Sequence, residues 1–138
     1  DAKSGLEDWQ GAIADYSKVI ELMPDVALAY NNRGIAKERL KDYQGAIADY
    51  SKAIALDTNY VNAYNNRGNA KSKLMDYQGA LPDYDKAIML MPDYANAYLN
   101  RGMTYLGLFQ KSDALSDFNK AKELGAEVPD ALFKMCEE

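Results

Sequence analysis

The stretch Tyr64-Asn65-Asn66-Arg67-Gly68 is followed by Asp76-Tyr77-Gln78-Gly79-Ala80 and then by Asp83-Tyr84-Asp85-Lys86-Ala87. Moving back 34 residues gives Tyr30-Asn31-Asn32-Arg33-Gly34, Asp42-Tyr43-Gln44-Gly45-Ala46 and Asp49-Tyr50-Ser51-Lys52-Ala53. Moving forward 34 gives Tyr98-Leu99-Asn100-Arg101-Gly102 and, more loosely, Ala114 and Asp117-Phe118-Asn119-Lys120-Ala121. Residues 27–60 and 61–94 agree at 21 of 34 positions, which shared composition does not produce. Self-similarity at one fixed period marks an array of supersecondary units, each burying its apolar face on the next.

Within a unit the apolar pattern is helical twice. Ala27, Tyr30, Gly34 and Lys37, with Arg33, Ala36 and Leu40 beside them, form the first period. Ala46, Ile47, Tyr50, Ala53 and Ile54 form the second. Lys41-Asp42 separates the two, with Asp42 placed as an N-cap, and Asp8 and Asp76 are expected to cap in the same way. Met23-Pro24-Asp25 and Met91-Pro92-Asp93 end the second helix, because proline cannot continue it and restricts its predecessor. Gly34, Gly68 and Gly102 lie mid-helix, where glycine costs ~1 kcal/mol against alanine. A second helix must therefore cross closely there, with Ala46, Ala80 and Ala114 the expected partners. Pro82 falls about a turn into its helix and is expected to bend it slightly.

The pattern of Tyr or Trp, Gly, Tyr, Ala, Tyr or Phe, Ala and Pro at this period resembles the tetratricopeptide repeat. The resemblance covers residues 1–128. It implies an all-α, right-handed solenoid of stacked antiparallel αα-hairpins. Residues 27–60, 61–94 and 95–128 are complete units and residues 1–26 a truncated first one, so the chain is expected to open mid-helix as a piece of a longer array. Residues 129–138 read as a short amphipathic capping helix carrying Leu132, Phe133 and Met135. The sequence departs from the family where Lys37 and Lys71 replace an aromatic that Tyr105 supplies. Arg33, Arg67 and Arg101 likewise replace a leucine.

The formal charge of −5 with a pI near 4.8 argues against a nucleic-acid or anionic-membrane surface, since both need a basic footprint. Histidine is absent and Cys136 is the single cysteine, so the commonest general base and metal ligand is missing and no internal disulfide can form. No apolar run approaches a membrane span. We expect no catalytic residues, no metal, no cofactor and no membrane insertion. A soluble chain is expected, the cytoplasm being slightly favoured. Asp15, Asp49, Asp83 and Asp117 recur with the arginines at the repeat period, which points to structural ion pairs within each unit.

Asn32, Asn66 and Asn100 recur on the first helix of each complete unit, away from the Tyr–Gly stripe. Helical steps extend that face through Leu28, Ile35 and Arg39, then Asn62, Asn69 and Lys73, then Asn96, Met103 and Gly107, with Asn31 and Asn65 flanking. Asparagine is a mediocre helix former, so three mid-helix copies suggest a use. A carboxamide both donates and accepts, which suits it to a peptide main chain. In the tetratricopeptide family this face lines a concave groove that receives peptides. The asparagines resemble the ladder in the repeat domain of the O-linked N-acetylglucosamine transferase. The family's clamp for acidic chaperone tails needs cations, and here only Asn66 fits it. The sequence therefore predicts a non-catalytic scaffold binding a protein or peptide segment. The alternative is a self-association module that stacks end to end through the open N-terminal face at Ala2, Leu6, Trp9 and Ile13 and through the C-terminal cap.

Overall fold

The structure, a computed structural model, describes residues 2–137, with side chains from Gly5 onward. Eight helices follow one another: α1 (Ala2–Leu22), α2 (Ala27–Arg39), α3 (Tyr43–Leu56), α4 (Val61–Lys73), α5 (Tyr77–Leu90), α6 (Ala95–Gly107), α7 (Lys111–Glu123) and α8 (Asp130–Glu137). Each helix packs on the next. In addition α2 meets α4, α4 meets α6 and α6 meets α8, so the first helices of successive units lie side by side. Among the described residues there is no strand. This is the expected solenoid of hairpins.

The tight turn inside each hairpin has a physical basis that the sequence conceals. Lys41, Met75 and Phe109 adopt φ of 63°, 63° and 61°. Asp42 N–H reaches Lys37 O, and Lys41 N–H reaches Glu38 O, both at 2.9 Å. That bond pair is a Schellman closure, which normally places glycine at the left-handed position. Here a lysine, a methionine and a phenylalanine occupy it. Asp42 and Asp76 then cap the second helix by accepting from Gly45 N–H and Gly79 N–H at 3.0 Å each.

Asp8 does not follow this pattern. Helix α1 runs unbroken through it, so Asp8 lies inside a helix rather than at its start. Pro82 leaves α5 continuous from Tyr77 to Leu90.

The glycine crossing is real, but its partner differs from the expected alanine. A Cβ on Gly34 would lie 2.6 Å from the Tyr50 ring, one on Gly68 2.8 Å from Tyr84, and one on Gly102 2.7 Å from Phe118. Those three rings are the largest fully buried side chains. Burying one contributes about 1.5–3 kcal/mol, which outweighs the ~1 kcal/mol that a mid-helix glycine costs. Ala46 instead clusters with Tyr50 and with Ala70 of the next unit. At the far end Phe133 of α8 meets Phe118 edge-on at 6.1 Å, while Met135 stays half exposed.

Candidate functional site

The ion pairs that brace the units are bidentate. Arg33 Nε and Nη2 donate to Asp49 at 2.8 and 2.7 Å. Arg67 does the same to Asp83 at 2.9 and 2.7 Å, and Arg101 to Asp117 at 2.8 Å twice. These bonds hold all three guanidinium groups above their ordinary pKa. Lys37 and Lys71 add ammonium contacts to Asp49 and Asp83 at 3.0 and 3.2 Å, which explains why a cation can replace the family aromatic. Where Tyr105 restores the aromatic, its ring lies 5.8 Å from the Arg101 guanidinium. Each arginine also reaches back one unit: Arg33 to Ser17, Arg67 to Ser51 and Arg101 to Asp85, at 3.1, 3.2 and 2.8 Å. Asp15 is exposed.

The asparagines form a second, parallel brace. Asn66 Nδ2 donates to Asn31 Oδ1 at 3.2 Å, and Asn100 Nδ2 donates to Asn65 Oδ1 at 3.3 Å. Asn31 and Asn65 are each only 4% exposed. Asn65 Nδ2 goes on to the Tyr94 hydroxyl at 3.4 Å, and Asn31 lies near the Tyr60 phenol, whose pKa burial raises. Asn31 and Asn65 therefore lie beneath the surface and fix the amides of Asn66 and Asn100. Leu99 stands at the equivalent place in the next unit, so it offers no acceptor. Asn32 has no such partner among the described residues.

The remaining candidates divide into rim and wall. Asn62 and Asn96 are exposed. Ile35 packs against the Ala46–Tyr50–Ala70 cluster. The Arg39 guanidinium sits 5.8 Å from the Trp9 ring. Asn69, Lys73, Asn100 and Met103 come together around a cavity of about 350 Å³, which Glu38, Ser72, Tyr77, Tyr84 and Thr104 complete. Below it runs a hydroxyl network: Tyr84 OH donates to Asn69 Oδ1 at 2.7 Å, Ser72 Oγ lies 3.0 Å from Thr104 Oγ1, and Thr104 OH donates to Asn100 O at 2.9 Å. On the α2 side, Tyr50 OH donates to Glu38 Oε1 at 3.2 Å. Burial pushes the Glu38 carboxyl up, while the Tyr50 bond, Arg39 and Lys73 pull it down.

Periodicity and spacing do not single out Glu38, Ser72, Tyr84 or Thr104 as site residues. A signal is nevertheless there: Thr104 interrupts the series Ala36, Ala70, and Asn69 interrupts Ile35 and Met103.

Family models match residues 39–74 as "TPR repeat", and 61–94 and 95–124 as "Tetratricopeptide repeat". A search of curated proteins finds no match. Among solved structures, the MamA protein is 30% identical, with TM-score 0.79 over 88% of this chain and 70% of that one. The first TPR of Spaghetti (RPAP3), bound to the HSP90 peptide SRMEEVD, is 25% identical, with TM-score 0.77 over 80% of this chain and 90% of that one. The Arabidopsis OM64 TPR domain is 28% identical, with TM-score 0.74 over 80% and 90%.

Proposed function

Because the chain belongs to the tetratricopeptide repeat family, we propose that it is a protein-interaction scaffold whose α2, α4 and α6 face grips an extended peptide segment. The observation that carries this reading is the pair of pinned amides at Asn66 and Asn100. Each spends one N–H on its neighbour and keeps a second N–H and its carbonyl for a ligand. A side chain already held in place loses little freedom on binding, so more of each bond survives as affinity. One such bond gives about 0.5–1.5 kcal/mol net. The ladder alone is therefore weak, and Met103 at 44% exposure supplies apolar contact beside it. The peptide-bound relative recognises an acidic segment, but the clamp positions of this chain carry no cation, which supports a different ligand.

The test is selection of random nonapeptides displayed on phage against this chain and an Asn32→Ala, Asn66→Ala, Asn100→Ala variant of matched helicity. Peptides enriched on the parent and lost from the variant support the groove. Equal enrichment on both removes it. The second reading, end-to-end association, is favoured by Leu6 at 50% exposure on α1, beside half-buried Trp9 and Ile13; the side chain of Ala2 lies outside the described residues. A mass by light scattering that rises with concentration, and stops rising on Leu6→Glu, supports it. A constant monomer mass rules it out.

A further inference from the structure

The cavity between α4 and α6 is not lined like the rest of the groove, and its hydrogens can be counted. Thr104 has one hydroxyl hydrogen, and it goes to the Asn100 carbonyl. Tyr84 has one, and it goes to Asn69 Oδ1. The Ser72 hydrogen is then left to donate to Thr104 Oγ1 at 3.0 Å or to the Tyr84 oxygen at 3.4 Å, both of them inside the protein. All three hydroxyl hydrogens are thus directed into the protein, so what these oxygens retain is lone pairs. Glu38 adds a carboxylate, of which Tyr50 engages Oε1. The donors that remain in the lining are the Asn69 and Asn100 amides, the Tyr77 hydroxyl and the Lys73 ammonium, and Lys73 is exposed at the rim.

We propose that this cavity is a side-chain subsite for an arginine or lysine of the bound peptide, with Glu38 as its counter-charge. The proposal rests on the peptide-groove reading and names one feature of the ligand. A cationic group brings only donors, which match the acceptors of Glu38, Ser72 and Tyr84. An acidic side chain would place its charge beside Glu38 and against those lone pairs. An apolar one would strip water from the acceptors and return nothing. The volume of about 350 Å³ admits one long side chain with its remaining water. Burial of Glu38 raises its carboxyl pKa, a cost that an incoming cation relieves and that therefore favours occupancy. The subsite belongs to one place only, because the residues at the position of Glu38 in the following units are Ser72 and Leu106, and Thr104 has alanine counterparts.

The test follows the backbone amides of Asn69, Ser72 and Thr104 by heteronuclear NMR during titration with Nα-acetyl-arginine methylamide. The glutamate and norleucine derivatives serve as controls. The arginine compound should shift those amides saturably at millimolar concentration and the two controls should not. Glu38→Gln keeps the acceptor for Tyr50, so the fold is retained, and should weaken the arginine compound about tenfold. Lys73→Gln removes the competing cation and should tighten it about twofold to fivefold. Absence of shifts with the arginine compound, equal shifts with either control, or binding unchanged in Glu38→Gln each overturns the proposal. None of these readouts involves a peptide. Failure of the subsite is thereby distinguished from failure of the groove, which the phage selection reads separately.

Discussion

Residues 27–60 and 61–94 are near copies whose polar contacts differ. Their turns, caps, glycine crossings and Arg–Lys–Asp clusters coincide to within a few tenths of an ångström. Their first helices differ at Ala27/Val61, Leu28/Asn62, Ile35/Asn69, Glu38/Ser72 and Arg39/Lys73, and all but the first of these lie on the groove face or line the cavity. The buried tyrosine registers the difference. Tyr50 sends its hydroxyl to Glu38, whereas Tyr84 sends its own to Asn69. The same ring in the same slot addresses a charge in one unit and an amide in the next. The bracing contacts and the differing positions fall on separate residues, so one set can change while the other stays fixed.

The largest expected effect tests the sameness. Asp49→Ala and Asp83→Ala each strand an arginine and a lysine, and each should lower unfolding free energy by about 2–4 kcal/mol, reduced from the fully buried case because the cations are partly solvated. Asp117→Ala should cost visibly less, since Arg101 keeps Asp85 and has no lysine beside it. Urea unfolding of the three variants checks the order, and unequal losses at Asp49 and Asp83 would break the equivalence of the two units.

Next come Gly34→Ala and Gly68→Ala. The added methyl meets a buried ring that cannot yield, at about 1–3 kcal/mol of overpacking, against ~1 kcal/mol gained in helix propensity. A net loss in melting temperature is expected, and any gain would show that the crossing has slack.

A smaller effect tests the difference. Tyr84→Phe leaves the Asn69 carbonyl without its donor and should cost about 0.5–1.5 kcal/mol. At the sister site, Glu38→Gln reads the charge. The Glu38 pKa is raised in the folded state, so its contribution is fully present below the unfolded carboxylate pKa and is lost as pH rises through the folded value. Glu38→Gln should therefore gain on the parent between mildly acidic and neutral pH, as followed by melting at both. The opposite slope would mean that Tyr50, Arg39 and Lys73 outweigh burial. Smallest of all, Met75→Gly should raise stability by about 0.5–1 kcal/mol by relieving a left-handed methionine, whereas a loss would show the side chain to be held by contacts.

Much of this arrangement is legible in the sequence because a repeat states each structural requirement several times. Period, hairpins, aspartate caps at Asp42 and Asp76, and arginine–aspartate pairs all come from residues that recur. Three-dimensional neighbourhood does not. The turn hides its Schellman geometry because lysine, methionine and phenylalanine stand where glycine normally would. The glycines are matched to alanines by spacing, although the rings one helical turn further along reach the crossing. Asn31 and Asn65 look like flanking ligand contacts because spacing on one helix does not reveal that the next helix covers them. The cavity is hidden because its walls come from four helices and Glu38, Asn69 and Thr104 do not recur.

The asparagine brace has a direction. Every donor belongs to the later unit and every acceptor to the earlier one, and Leu99 ends the series. The units are therefore not interchangeable beads. They behave as words in a sentence whose order is enforced by syntax, with Leu99 as the full stop. Transposing residues 61–94 with 95–128 would preserve every hairpin and still put a leucine where an acceptor is required, so shuffling this array would scramble its ladder before it disturbed its fold.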